Sequence, residues 1–240
     1  MGSPCYHRVL LNLSGEALQG EQQGLVLSPA MLEYLSNEIE TIHALGTQIA
    51  IVIGGGNIVR GEMIAGDMGV ERVTGDYMGM LATVINGMAL RSALTKKGLD
   101  TRLQTALPLE QVAAPYIREK AIRHLEEHRV IIFAGGTGNP FFTTDTAAAL
   151  RAAEVGADAL LKGTNVDGVY SSDPAQNPDV SRYSKLTMDE AINKKLRVMD
   201  ATALTLCRDR HLPVHVFQLK KQGAMAAIIR GEQEGTKLAN

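Results

Sequence analysis

Val130-Ile131-Ile132-Phe133-Ala134-Gly135-Gly136-Thr137-Gly138-Asn139-Pro140-Phe141-Phe142-Thr143-Thr144-Asp145 runs from a continuous apolar stretch into glycines, an amide, hydroxyls and one carboxylate. The alanine-rich segment Thr146 to Val155 follows as a helical pattern and stops near Gly156. A strand, a glycine loop and a helix in that order leave unpaired N–H groups at the helix N-terminus. There the donors and the helix dipole favour an anion. A second cluster, Gly54-Gly55-Gly56-Asn57, stands in the same relation to the apolar run Ile49 to Ile53. Two such cradles on one α/β domain imply two phosphorylated ligands meeting face to face.

Outward from these loops, apolar strands alternate with helical patterns. The strands are expected at Arg8 to Leu13, Ile49 to Ile53, Thr101 to Leu107, Val130 to Ala134, Ala159 to Leu161 and Val214 to Phe217. Strands apolar on both faces predict a mostly parallel sheet wrapped by helices. Leu32, Leu35, Ile39 and Ile42 form one face of a helix opened by Ser28-Pro29 and ended by Gly46. A later helix carries Leu81, Val84, Ile85 and Met88, with Met78 and Met80 adding apolar surface elsewhere. It either packs in the core or lies between two copies of the chain. Asn165 to Pro174 reads as a turn-rich loop, and Pro174 to Tyr183 as polar and irregular. No internal repeat or linker interrupts the chain, so residues 1–240 are expected to form one domain.

Composition narrows the function classes. With 45% hydrophobic and 21% charged residues, the chain is an ordinary globular sequence rather than a disordered one. A net charge of −2 argues against a nucleic-acid-coating surface. The apolar runs are shorter than the ~20 residues of a membrane span, and Asn12 cuts short any signal-peptide core. Cys5 and Cys207 alone give little reason for a disulfide framework or zinc cluster. Cytoplasmic localisation is expected, with neither nucleic acid nor membrane as partner.

Each motif has a plainer structural reading beside the functional one. Ser14-Gly15 after the first strand is a third phosphate nest or a plain turn. Arg60, just past the Gly54-Gly55-Gly56 cluster, can grip phosphate with its planar fork. The cluster fails G-x-G-x-x-G because Val59 stands where glycine is needed, and no P-loop motif occurs. Asp76 precedes the apolar helix as a dipole partner, or as an acceptor for ribose hydroxyls. Asp145 is a helix-start carboxylate, or a group that orients donors or Mg²⁺ around a moving phosphoryl group. His124 and His128 share a helix face, but no third ligand accompanies them. His211 and His215 read as strand-entry residues. No Ser/His/Asp pattern or reactive-cysteine motif stands out.

Taken together, these loops resemble the amino-acid kinase superfamily and, within it, the bacterial uridylate (UMP) kinases. The resemblance spans about Arg8 to Gly235. It is carried by Leu13 to Leu18, Gly54 to Asn57, Gly75 to Thr83, Gly136 to Asp145, Val166 to Tyr170 and Val198-Met199-Asp200. It implies a three-layer α/β/α sandwich, transfer of the γ-phosphoryl of MgATP to UMP in pyrimidine nucleotide biosynthesis, and a homohexamer. It assigns Asn12, Arg60, Asp145 and Asp200 to the catalytic centre. ATP is expected on Asn12, Leu13, Ser14, Gly15, Gly56, Arg60, Thr164, Tyr170 and Asp173. UMP falls to Gly55, Asp76, Thr137, Gly138, Asn139, Pro140, Phe141, Phe142, Thr143 and Thr144. No side chain is expected to bind metal directly, since Mg²⁺ arrives on the nucleotide phosphates. Arg91, Arg102 and Arg129 match an allosteric site for GTP, an activator, although Thr95 replaces a frequent histidine and ordinary surface ion pairs remain the alternative. UTP is expected to inhibit.

One position departs from the pattern. The family reads Lys-Leu-Ser-Gly-Glu where this chain reads Asn12-Leu13-Ser14-Gly15-Glu16. A lysine there would neutralise charge on the β- and γ-phosphoryl oxygens, and phosphoryl transfer depends almost wholly on positioning and charge stabilisation. Loss of one preorganised donor costs roughly 10²–10³ in turnover. Lys162, Arg60 and Mg²⁺ are the candidates to offset it. A kinase for an amino acid or carbamate is the rival activity within the fold, and a nucleotide-binding sensor or storage assembly of the same fold, without catalysis, is the rival from another functional class.

Overall fold

The chain is described here from a computed structural model covering residues 4–20, 25–60, 69–172, 177, 180–196 and 198–240. In chain order the elements are β1 (Arg8–Leu13), α1 (Pro29–Ala44), β2 (Gln48–Ile53), α2 (Arg72–Lys96), β3 (Thr101–Thr105) and β4 (Ala114–Pro115). Then come α3 (Arg118–Glu126), β5 (Val130–Ala134), α4 (Thr144–Val155), β6 (Ala159–Thr164), β7 (Val169–Tyr170), β8 (Arg182–Tyr183) and β9 (Lys185–Thr187). The last are α5 (Met188–Asn193), α6 (Ala201–Asp209), β10 (Val214–Gln218), α7 (Ala224–Ile229) and β11 (Thr236–Ala239).

Among the described residues, nine strands pair in the order β4-β3-β5-β2-β1-β6-β10-β11-β9. All pairings are parallel except β10 with β11, so β11 and β9 run against the rest. Side chains alternate across the sheet as a strand's period of two requires. Val9, Leu11 and Leu13 of β1 join Ile49, Ile51 and Ile53 of β2 in a core closed by α1, α2 and α7. Leu10, Ala50 and Val52 enter the opposite core, under α3, α4, α5 and α6. Two filled layers about one sheet are the expected α/β/α sandwich. Asn12 belongs by this alternation to the second face, and in register it lies beside Lys162 of β6.

The helix opened by Ser28-Pro29 forms as expected, with the Ser28 hydroxyl accepting from Met31 N at 3.4 Å. Other expectations need correction. Helix α2 begins at Arg72, so Asp76 lies inside its second turn rather than ahead of it. Of the supposed apolar stripe, Val84 is buried but Leu81, Ile85 and Met88 are exposed. His128 lies past the end of α3 with φ at 55°, so it shares no helix face with His124. The third strand stops at Thr105, and β6 continues to Thr164. Arg182–Tyr183, read as irregular, pairs antiparallel with Val169–Tyr170. The β9 and β11 edge escaped notice because strands of three and four residues carry too little alternation to register.

Candidate active site

Strands β1, β2 and β6 end together, with Leu13 in register with both Ile53 and Gly163. Ligands of open α/β sheets collect beyond the carboxyl ends of strands. Here the chain leaves β1 as Ser14-Gly15 and β2 as Gly54-Gly55-Gly56, and Gly54 N donates to Leu13 O at 2.8 Å. The two loops touch through main chain. A Cβ on Gly15 would stand 2.5 Å from Asn57 Oδ1 and 2.7 Å from Gly56 N, so no side chain fits there. Beyond lies a cavity of about 290 Å³, floored by Asn12, Asp145 and Lys162.

That floor is one charged cluster. Asn12 Nδ2 donates to Asp145 Oδ1 at 2.7 Å, and Lys162 Nζ contacts Asp145 Oδ2 at 2.6 Å. The cross-strand register of β1 and β6 sets Asn12 and Lys162 side by side, and Asp145 in the first turn of α4 reaches down between them. The lysine expected at position 12 is thus replaced by an amide whose donor goes to the carboxylate, and a cation stands one strand away. Thr143 caps α4, its hydroxyl accepting from Asp145 N at 3.1 Å and Thr146 N at 3.3 Å.

A second cavity, of about 260 Å³, shares Gly55, Gly56, Thr143 and Thr144 with the first. Its lining includes Asp76, Thr137, Asn139 and Phe142, which the resemblance assigned to one ligand, together with Gly136. Asp76 Oδ2 accepts from Phe141 N at 2.8 Å, and Oδ1 from Arg72 Nε at 2.9 Å. Thr137 and Asn139 bond within the loop, Asn139 N donating to Thr137 Oγ1 at 3.2 Å. Gly138 and Pro140 complete its turn and do not line the cavity, while Phe141 projects outward, 66% exposed.

Helix α2 braces both cradles, which sequence reasoning missed. Asn86 Nδ2 donates to Gly54 O at 2.7 Å and to Asn57 Oδ1 at 2.7 Å. Thr83 Oγ1 accepts from Gly135 N at 2.7 Å. Both residues are buried. Spaced +7 and +10 from Asp76, they lie on one helical face; polar residues at core spacing were the available signal.

Asp200 sits behind the loop that runs from Gly136 to Thr143 rather than in either cavity. It caps α6 by accepting from Ala203 N at 2.9 Å, and also accepts from Thr143 Oγ1 at 2.5 Å and Thr146 Oγ1 at 2.9 Å. Burial alone would raise its pKa, but these donors outweigh it and hold the carboxyl below its ordinary value. The Cys207 thiol, buried near the Asp145 and Asp200 charges, is pushed up to about 12 and stays protonated.

The remaining expected residues are more dispersed. Arg60 pairs with Glu16, in the turn that follows Ser14, and lines neither cavity. Thr164 Oγ1 donates to Val166 O at 2.6 Å, and the Tyr170 hydroxyl to Asp167 Oδ1 at 2.5 Å. Asp173 lies outside the described residues. Arg91, Thr95 and Arg102 line a separate cavity of about 420 Å³ near β3. Arg129 is not among its walls and donates to Asp100 Oδ2 at 2.8 Å, a carboxylate that Arg102 also contacts. Slight burial of Asp100 raises its pKa, but the two guanidinium groups overcome it and leave the group more acidic than usual.

Residues 7–218 match the model of the amino acid kinase family. The whole chain is similar to the UMP kinase of Bacillus anthracis, with 44% identity, a TM-score of 0.94, and coverage of 98% of this chain and 96% of that one. The UMP kinase of Ureaplasma parvum shares 36% identity with a TM-score of 0.92, over 98% and 99% of the two chains. The uridylate kinase of Archaeoglobus fulgidus is more distant, at 27% identity and a TM-score of 0.75, over 96% and 99%.

Proposed function

The chain belongs to the amino acid kinase family, and we propose that it transfers the γ-phosphoryl of MgATP to UMP, giving UDP and ADP. Support comes from similarity to UMP kinases over nearly the full length and from the two cavities that share the wall Gly55, Gly56, Thr143 and Thr144. The shared wall is the observation that carries this reading. A donor and an acceptor phosphate bound on its two sides would face each other along a single line.

The donor triphosphate lies on Ser14-Gly15 and Gly54 to Gly56, where main-chain donors replace water around anionic oxygens. Leu13 positions the β1 end, Arg60 covers the open side, and Thr164, Tyr170 and Asp173 receive the nucleoside. UMP occupies the second cavity, with Asp76 on the ribose hydroxyls and Thr137 to Thr144 around uracil and the phosphate. Lys162 stands at the floor of the donor cavity, near the shared wall, and stabilises charge on the transferring group. Asn12 and Lys162 together hold the Asp145 carboxylate, and Asp200 anchors the loop end through Thr143.

Mg²⁺ belongs to this reading as part of the donor. It takes oxygen ligands, keeping phosphates and waters alongside one or two carboxylates, and the Asp145 carboxylate in the donor cavity fits that set. Bound there, the ion would neutralise phosphate charge. Among the described residues no group of three or more His, Cys, Asp and Glu could hold a metal by itself.

Assembly and regulation complete the proposal. Tyr77, Leu81, Ile85 and Met88 form a stripe along α2 and are 40% to 49% exposed in the protomer. Such a stripe suits a second copy of the chain, as a step toward a hexamer. The cavity at Arg91, Thr95 and Arg102 is the candidate for GTP activation and UTP inhibition. The cytoplasm is the proposed compartment; among the described residues no helix is long and apolar enough to cross a membrane.

A second reading, a nucleotide sensor without catalysis, draws on Asn12 alone. An ADP-release assay with ATP and UMP, CMP or glutamate decides. ADP release with UMP well above that with CMP, and none with glutamate, is expected. UMP and ATP binding without ADP release would establish the sensor, and absence of UMP binding would dismiss both.

A further inference from the structure

Arg72 occupies the first position of α2, where the helix dipole disfavours a cation. Its partner Asp76 lies four residues on, and a base preceding an acid at that spacing is the weaker order for a helical ion pair. Helix stability therefore gives no reason for this pair. Its surroundings give another one.

Both oxygens of Asp76 are engaged from opposite sides. Arg72 Nε donates to Oδ1 at 2.9 Å, from a side chain 41% exposed to a carboxylate 13% exposed. Phe141 N donates to Oδ2 at 2.8 Å. Phe141 holds φ at 71°, a left-handed backbone that bulky residues rarely adopt, and the Arg72 guanidinium lies 6.0 Å from its ring centroid. Arg72 thus meets Asp76 and the loop residue that Asp76 holds. Both Arg72 and Asp76 line the second cavity.

A carboxylate has about four lone-pair positions. Two fixed donors occupy one on each oxygen and set the plane of the group, leaving one on each for a ligand. Two vicinal hydroxyls are the ligand chemistry that matches two parallel acceptors. We infer that Arg72 is a positioning residue for acceptor recognition, acting through Asp76 to select a ribose bearing both hydroxyls over a deoxyribose. The inference rests on the proposal that Asp76 receives the UMP ribose.

The test compares UMP with its 2′-deoxy analogue in the intact enzyme and in Arg72→Ala, Arg72→Lys and Asp76→Asn. Loss of a charged hydrogen bond corresponds to about 10–100-fold in affinity. Arg72→Ala is expected to raise KM for UMP by about tenfold or more and to lower the preference for UMP over dUMP by a similar factor. KM for ATP should stay within about twofold, which also reports an intact fold. Arg72→Lys keeps the charge but not the rigid fork, and should recover part of both. Equal losses for UMP and dUMP, or an unchanged preference, in Arg72→Ala would overturn the role of Arg72 if Asp76→Asn still lowers that preference. A preference unmoved by Asp76→Asn would instead remove the ribose reading of Asp76, and the inference with it.

Discussion

The cavity proposed for the donor is lined largely by glycine main chain at the strand ends, whereas the one proposed for the acceptor depends on side chains reaching a loop. On that first side, Gly15 and Gly54 approach so closely that a Cβ on either has no room, and one on Gly55 would strike α2 at Gly79 O. Their geometry follows from three strand ends in register. On the acceptor side, the loop from Gly136 to Thr143 hangs on two carboxylates, Asp76 at Phe141 and Asp200 at Thr143. A wall of backbone amides binds any phosphate of suitable shape. A loop held by particular carboxylates can discriminate among acceptors, and its hold can be altered one side chain at a time. The charged floor of Asn12, Asp145 and Lys162 lines the first cavity alone, next to the wall that the two cavities share.

The largest expected effect tests that floor. Lys162→Met should lower kcat by about 10³ while KM for UMP changes little, because charge stabilisation is lost at the transferring group and not in the acceptor cavity. A large rise in KM for UMP with kcat preserved would move Lys162 to the acceptor side and break the distinction. Next is Asn12→Lys, which places an ammonium beside Lys162 in register and against Asp145. Turnover should rise at least about tenfold, in line with a restored charge donor. An unchanged or lower rate would mean that Lys162 already fills the role and that two ammonium groups on one carboxylate repel.

The smallest effect concerns pH and the acceptor loop. The Asp200 carboxyl is more acidic in the folded chain than usual, despite burial, because Thr143, Ala203 N and Thr146 donate to it. Its contribution to stability is present above the ordinary aspartate value of about 3.9 and is lost as pH falls through the lower folded value. Thermal melts between about pH 5 and pH 3 should therefore show a decline that is shallower in Asp200→Asn. Parallel curves for the two proteins would show that the carboxylate does not tie the loop.

Much of this was legible in the sequence because it is local. Glycines after apolar runs announce the cradles, and Thr143 before an alanine-rich helix announces the cap of α4. Asp76 misled for a local reason as well: it follows Gly75, which looks like a helix boundary, although the helix tolerates both Gly75 and Gly79. The roles of Thr83 and Asn86 were hidden, since nothing in their own neighbourhood says that Gly135 and Gly54 lie opposite. The exposed apolar stripe on α2 could be read as a helix but not assigned to a face, because its apolar residues cover more than one side.

The sequence alone determined the strand-loop-helix alternation and the two anion cradles. Each follows from residue type and short-range spacing, which act through backbone sterics, hydrogen bonding and helix dipoles. Tertiary structure alone decided that Lys162 lies beside Asn12 and that both converge on Asp145. It alone decided too that Arg72 and Phe141 meet at Asp76. Those neighbours come from strand register and helix packing between segments far apart in the chain, where burial of two apolar layers fixes the alignment and no local pattern records it.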